Sequence, residues 1–525
     1  MAKGLEFLDY AVIAAFFAVM IGVGVYYSRK SKSSDQFFGN DKTVPWWLSG
    51  VSFYMNSFSA LAFVMYSALA YKFGWVPVTV SWLSVPAVLL GAWFLAVRWR
   101  RAAKGSPIDY IAERYTPSMC KTLAILGLPM QLLDNALKLL AIGTVVGVGM
   151  GFPLFWSICI SGVIIVLYTF LGGLKATLTC DFIQFLVILV VVFTLPFMCL
   201  EKLAVCGAPG KSPPAVIDGF RVFLDKVPAG FFDFTAGKYT WVYMLVFFCC
   251  VGSTLSTNWS LVQRYYSTKS EKDAKKMAYL VAALLFLGPP LFFFPAMAAR
   301  VFLPGISEVQ MNGVYALVCR EVLPVGMIGM VIAAMFSATM SSLAGNFNAA
   351  AAVLTNELRL KGMAWARAMT ILVGGAVIAL TFVMQYAQGA DDLFNLSNKV
   401  FGVFLPPIAL PMLCGIFVRW FSRRSGLVGL VGGIAVGLAI FIAGAKPELA
   451  YLREMVWIFP ATAIATILFL ALGTLLFRDS LSERAEVDVF MDRLQSADAK
   501  HSDNGIRAGA ARKDNDVKHN RNVIP

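Results

Sequence analysis

The chain has 525 residues, 59% of them hydrophobic and only 14% charged, with a mean hydropathy of +0.72. A soluble protein of this size needs far more charge to cover its surface, so a water-soluble enzyme or binding module is excluded. The net charge of +14 sits mostly in short loops between apolar runs, which is the positive-inside pattern of membrane proteins and not a nucleic-acid-binding face.

Apolar runs of about 20 residues, enough to cross a hydrocarbon core, recur along the chain. They predict thirteen spans, near 6–27, 45–70, 75–98, 121–150, 153–171, 178–200, 239–263, 277–303, 325–355, 364–386, 391–418, 425–444 and 454–477. The first lacks a small-residue cleavage site and reads as a retained helix, not a signal peptide. Basic clusters follow spans one ("SRKSK"), three ("VRWRRAAK"), seven ("QRYYSTKSEKDAKK"), nine ("RLK") and eleven ("VRWFSRR"). With this span count they all fall on one side, while "GADD" and "KPELAYLRE" fall on the other. That predicts an N-terminus outside and a C-terminal tail inside. The loop at 201–238 is rich in Gly and Pro, with "GFRVFLDKV" as a short surface helix. From about 480 the chain turns polar, with a short amphipathic helix at its start and disorder towards its end.

Nine cysteines are scattered without a CxxC pair, and both histidines, His501 and His519, lie in the tail. Neither a metal cluster nor a disulfide framework is indicated. Cys206 and Cys319 fall outside the spans, where a pairing is the minor alternative.

Polar residues inside the spans carry the functional signal. In and just before "FSATMSSLAGN", Ala334, Ser337, Ala338, Ser341, Ser342 and Gly345 share one helical stripe. Close helix packing explains such a stripe. So does half of an alkali-cation shell, in which the hydroxyls of Ser341 and Ser342 join the carbonyl of Ala338, because a hard cation takes oxygen ligands. Span two, "GVSFYMNSFSALAF", places Asn56, Ser57 and Ser59 in apolar surroundings. It reads either as a broken helix whose freed carbonyls at Met55 and Phe58 complete the shell, or as an unbroken helix with satisfied polar side chains. Asp181 in "GGLKATLTCDFIQF" is either an interfacial N-cap or a support for the cation site. Asp134 and Lys138 in "QLLDNALKLLAIG" are four apart and can pair, facing a bundle interior or water. Asn398 and Lys399 form a second polar spot, before a Pro-Pro that is expected to break its helix.

The motifs "GGLKATLTCDFIQ", "NWSLVQRYYSTKSEKDAKK" and "FSATMSSLAGNFN" resemble, in order and spacing, the sodium/solute symporter family, nearest to its bacterial sodium–sugar and sodium–sialic acid members. The resemblance covers roughly residues 5 to 480. It implies an all-α, leucine-transporter-like fold of two five-helix inverted repeats. Here these would be 45–200 and 239–419, with an extra helix and loop at 1–44, an external loop at 201–238, two further spans at 420–480 and a polar tail at 481–525. It implies a co-transported sodium held by the carbonyls of Met55, Phe58 and Ala338 and the hydroxyls of Ser341 and Ser342, with Asp181 supporting them.

Where some sialic acid symporters add two hydroxyls for a second sodium, this chain has Ala344 and Gly345, so one sodium is expected. Where they place an arginine for the substrate carboxylate, it has Asp134, which argues against an acidic solute. The aromatic gate of the sugar symporters falls near Thr254. By alignment the solute contacts are Ser59, Ser81, Asp134 and Asn398. The expected protein is a monomeric sodium symporter of a bacterial inner membrane, importing a neutral sugar or polyol. An amine, nucleoside or amino-acid-like solute is the runner-up. A proton-coupled carrier using Asp181 or Asp134 is the rival from another class. No catalytic cluster points to an enzyme.

Overall fold

The computed structural model describes residues 6–30, 37–38, 42–57, 60–102, 106, 108–150, 152–207, 216–311, 313–387 and 393–495. Regular structure among them is helical. In chain order the main helices are α1 (Phe7–Lys30), α2 (Trp46–Asn56), α3 (Ala60–Phe73), α4 (Val76–Ala102), α5 (Asp109–Arg114), α6 (Pro117–Met150), α7 (Leu154–Gly207) and α8 (Val216–Lys226). Then follow α9 (Trp241–Thr257), α10 (Trp259–Ser267), α11 (Glu271–Phe302), α12 (Val314–Val322), α13 (Met327–Glu357), α14 (Met363–Ala387), α15 (Leu393–Phe417), α16 (Ser425–Ala443), α17 (Met455–Leu476) and α18 (Leu481–Gln495).

Among the described residues, eleven helical segments are long and apolar enough to cross a membrane unaided. Two of the thirteen predicted spans are instead discontinuous. Span seven is the pair α9 and α10, bent by 53°. Span two is divided into α2 and α3, each too short to cross alone. The helix α7 holds two spans, separated by a sharp bend at Gly173, whose φ of 61° suits glycine. A side chain there would also run into the backbone oxygen of Phe37, 2.7 Å from the Cβ position.

The Pro-Pro at 406–407 does not end its helix. α15 runs through Pro406, Pro407 and Pro411, because neighbouring helices in a membrane bundle can satisfy the carbonyls that proline frees. Cys206 and Cys319 do not pair; Cys319 is buried and Cys206 exposed. The surface helix expected in the 201–238 loop is α8.

The helix α13 is the hub of the bundle: 89% of its span is buried, against at most 61% in the other single-helix spans. Small side chains, such as Ala349 to Ala352, let its neighbours approach closely. α1 packs along it, with Phe17 edge-on to Phe336 at 4.9 Å. The buried carboxylate of Asp9 accepts the N–H groups of Gly326 (2.9 Å) and Gly329 (2.8 Å), capping the start of α13. A carboxylate at a helix N-terminus satisfies otherwise orphaned donors and opposes the positive end of the dipole. Asp9→Ala is therefore expected to cost about 2–3 kcal/mol of stability, measured as a lowered unfolding temperature of the purified protein.

α18 forms the start of the polar tail and docks back on the bundle. Its apolar face, Val487, Phe490, Met491 and Leu494, is buried. Arg493 clasps Glu113 of α5 through two 2.8 Å hydrogen bonds, and Arg419 and Arg423 pair with Asp492 and Glu486.

Candidate sodium site and solute cavity

The four hydroxyls of 336–342 divide into two classes. Ser337 donates back to the carbonyl of Ala333 at 2.7 Å, and Thr339 donates to that of Met335 at 3.3 Å. These two are satisfied by their own helix, as isolated hydroxyls in an apolar helix usually are. Ser341 and Ser342 are equally buried, yet neither Oγ has a hydrogen-bond partner in the protein. A buried polar atom left unpaired costs free energy. Two adjacent ones that do not bond back to their own helix make this a candidate place for a ligand.

Opposite them the chain breaks. α2 stops at Asn56, with Ser57 N–H bonding to Tyr54 O at 3.0 Å in a tightened last turn. The Asn56 side chain anchors this end to its neighbours. Its Nδ2 donates to the carbonyl of Ser341 at 2.9 Å, and its Oδ1 accepts from Ser260 Oγ at 3.1 Å. One amide thus ties the end of α2 to both α13 and α10. Met55 and Ala338 are fully buried beside this junction. Phe58 and Ser59 lie outside the described residues.

A second break faces the first. Asn258 separates α9 from α10, and its Oδ1 accepts the N–H groups of Ser260 (3.0 Å) and Leu261 (3.2 Å), a side-chain cap for α10. Discontinuous helices of this kind line ion and substrate sites in transporters, since unpaired backbone is tolerated only around a cavity.

Asp181 is no interfacial N-cap. Eight residues beyond the Gly173 bend and inside α7, it is fully buried. Its carboxylate accepts the Ser52 hydroxyl of α2 and lies 3.8 Å from Arg264 Nη2 of α10, itself fully buried. Ser341 borders the same carboxylate. Arg264 in turn donates to Ser52 Oγ (3.2 Å) and to the Ser260 carbonyl (2.8 Å) and hydroxyl (2.6 Å). The sequence motif contained Arg264, but its role was not legible: nothing in spacing brings α10 against α7.

Above the hydroxyl pair opens a cavity of about 290 Å³. Ser81, Asp134 and Asn398, three of the four solute contacts expected from the sequence, line it together. Asp134 is not a bare anion, because Lys138 Nζ stands 2.7 Å from its Oδ2. Gln131, Ser84 and Thr254 add polar groups that sequence reasoning did not assign to the solute, and Tyr54, Tyr66, Trp259 and Phe292 add aromatic walls. Asn56, Ser57 and Ser342 also line this cavity. The solute space and the unpartnered hydroxyls are therefore contiguous.

Residues 37–433 match the model of the sodium:solute symporter family. The chain belongs to this family. Among curated relatives, the symporter is 24% identical over 466 residues to the sodium/sialic acid symporter NanT of Aliivibrio fischeri, covering 83% of this chain and 88% of the relative. It is 24% identical over 508 residues to the sodium/glucose cotransporter of Vibrio parahaemolyticus, covering 90% and 91%. Its fold is that of a sodium-coupled sialic acid symporter solved in a substrate-bound outward-open state, with a TM-score of 0.75 at 21% identity over 90% of this chain and 98% of the other. The leucine-transporter-like architecture expected from the motifs is thereby shown. The protein is an integral membrane transporter that couples solute movement to sodium.

Proposed function

We propose that this symporter imports a neutral, polyhydroxylated solute, a sugar or polyol, together with one sodium by alternating access. The observation that carries the reading is the contiguity just described: Ser342 borders both the solute cavity and the candidate ion site. An ion held by the hydroxyls of Ser341 and Ser342 and the carbonyls of Met55 and Ala338 fixes the end of α2. Asn56 and Ser57 at that end then present a fixed wall to the solute. Coupling of this sort is reciprocal, so sodium tightens solute and solute tightens sodium. Each sodium entering down a 100 mV potential, inside negative, adds about 2.3 kcal/mol of drive.

The neutral-solute reading rests on the cavity's charge. Asp134 and Lys138 are the only Asp, Glu, Lys or Arg side chains among its described lining residues, and they cancel. The pair still offers a carboxylate to accept and an ammonium to donate, beside the amides of Gln131 and Asn398, which suits hydroxyl groups. Aromatic side chains provide flat apolar walls for ring faces. The names of the relatives, a glucose cotransporter and a sialic acid symporter, support a polyhydroxylated solute, of which only the first is neutral. A second reading is favoured by the ion pair itself: a zwitterionic, amino-acid-like solute can set its ammonium on Asp134 and its carboxylate on Lys138.

The distribution of basic loops supports an N-terminus outside and α18 inside the cell, and the bacterial relatives support an inner membrane. Repeats at 45–200 and 239–419 account for the paired breaks at Ser57 and Asn258.

A thermal-shift panel tests the solute class. Sugars, polyols, amino acids, amines and N-acetylneuraminate are each added in sodium and in potassium at fixed pH. A neutral sugar or polyol is expected to stabilise the protein in sodium only. Stabilisation by amino acids alone selects the second reading. A shift that follows pH and ignores sodium selects a proton-coupled carrier.

A further inference from the structure

The basic-loop end of the bundle is crossed by a helix that is not itself a span. α18 lies against the last turns of α4, the short helix α5 and the end of α15. The first two belong to one of the segments proposed above as repeats, and α15 belongs to the other. The grip of α18 is of two kinds. Its apolar face is buried, and the Phe490 ring lies parallel to that of Tyr110 of α5, 6.4 Å away. Tyr110 in turn meets Trp99 of α4 edge-on at 5.2 Å and donates its hydroxyl to the carbonyl of Met412 of α15 at 2.8 Å. Around this apolar centre, Arg493 clasps Glu113 with two nitrogens, and Arg101 of α4 donates to the Leu494 carbonyl at 2.9 Å. Arg419 and Arg423, just beyond α15, pair with Asp492 and Glu486. α5 is therefore held between α15 and α18. Further into the bundle there is no open path: all of α10 is buried, and so is α13 from Val331 to Val353.

We propose that α18 is a clasp that holds this end of the transporter closed in the conformation seen here, and that its release is a step of the transport cycle. The proposal rests on the alternating-access reading given above. Alternating access rocks one repeat against the other, and a helix fastened to both sides of the moving boundary opposes that motion. Its charged contacts lie near the surface, with Arg493 and Glu113 31% and 30% exposed, so each pair is weak alone. Weak pairs around a small apolar patch suit a contact that opens and recloses in every cycle. A native thiol lies under the clasp. Cys120 of α6 is buried, its Sγ 3.5 Å from the carbonyl of Ile108, the residue before α5, and 3.1 Å from Glu357 Oε1. Lifting α5 away uncovers it.

The test follows alkylation of the native cysteines by N-ethylmaleimide, resolved by peptide mass spectrometry, in the purified full-length chain. Unaltered protein, Arg493→Glu, Glu113→Arg and the double exchange are compared in sodium and in potassium. Each single reversal is expected to speed Cys120 about tenfold in potassium, from a lost pair and a new like-charge contact. The double exchange should return within about twofold of the unaltered rate. Sodium should slow the excess labelling, because a ligand of the closed form draws the population back to it; a merely structural α18 would show no such dependence. Cys319 of α12, buried beyond the opposite end of α11, should keep its rate throughout. If the single reversals leave Cys120 unchanged while sodium still slows it in every form, the clasp fails and alternating access stands. A double exchange as fast as the single reversals also overturns the clasp. If sodium and potassium give one rate in every form, this end does not open and close with the ion, and the proposal falls with the reading it rests on. Should a reversal speed Cys120 and Cys319 alike, it has unfolded the protein. Arg493→Gln, which removes the pair without adding a like charge, then decides: a gain at Cys120 alone supports the clasp, and no such gain overturns it.

Discussion

Ser341→Ala and Ser342→Ala should each raise the sodium concentration for half-maximal uptake by roughly 10- to 100-fold, taking a polar contact to a charge as worth about 1.5–3 kcal/mol. The same changes should leave the fold intact. Both hydroxyls are fully buried and neither bonds back to its own helix; Ser341 has only the Asp181 carboxylate beside it, so truncation removes at most that one internal contact. That combination separates a ligand from a packing residue. A serine kept only for close helix approach would be replaced by alanine with little effect on sodium. Ser337→Ala is the internal control, because its hydroxyl is already satisfied by Ala333. Uptake titrated with sodium in proteoliposomes, at constant ionic strength and pH, checks all three.

The second large effect is expected at Asp134. Asp134→Ala leaves the Lys138 ammonium alone in a cavity otherwise lined by neutral side chains. Breaking a fully buried pair costs about 3–5 kcal/mol. This pair borders a cavity and keeps 12% and 16% of its side-chain surface exposed, so the cost is smaller and the protein still folds. The solute KM should rise by roughly 10- to 100-fold, the loss of one or two hydrogen bonds to a charged group. Sodium stabilisation measured without solute should be unchanged, since neither Asp134 nor Lys138 bonds to the ion site. Asp134→Asn, which keeps an acceptor oxygen, should fall between the two. An equal loss of sodium affinity in Asp134→Ala would mean that the two spaces are not the separate subsites described here.

The sequence made the membrane architecture legible because lipid imposes one simple demand, a sustained run of apolar residues. It was least legible where that run hides a discontinuity. Span seven is long enough to read as one crossing helix, and its 53° bend falls where Asn258 caps the second half. An interfacial N-cap stayed one of two readings of Asp181 because the apolar run begins near residue 178. The bend at Gly173 in fact starts the helix earlier and carries the carboxylate into the bundle. The serine pair was visible as a stripe, but spacing alone could not tell packing from ligation. The difference lies in rotamers, with two hydroxyls turned back to their own helix and two turned away. Asp134 and Lys138 were recognisable as a pair at helical spacing. That they balance the charge of a shared cavity with Ser81 and Asn398 depends on α4, α6 and α15 meeting, which no local pattern encodes. Arg264 stood in a quoted motif for the same reason without a role: its partners Ser52 and Asp181 are 212 and 83 positions away in the chain.

The most direct test of the central claim needs no solute. The unfolding temperature of the purified protein is titrated with sodium chloride, with potassium chloride making up constant ionic strength, and compared with that of a Ser341→Ala, Ser342→Ala double variant. A bound ligand stabilises the native state by RT ln(1 + [L]/Kd), about 2.7 kcal/mol at a hundredfold excess over Kd. The account predicts a saturable rise with sodium in the unaltered protein and a flat line in the double variant. An equal sodium-dependent rise in both would contradict it, and would return the buried hydroxyls of α13 to helix packing.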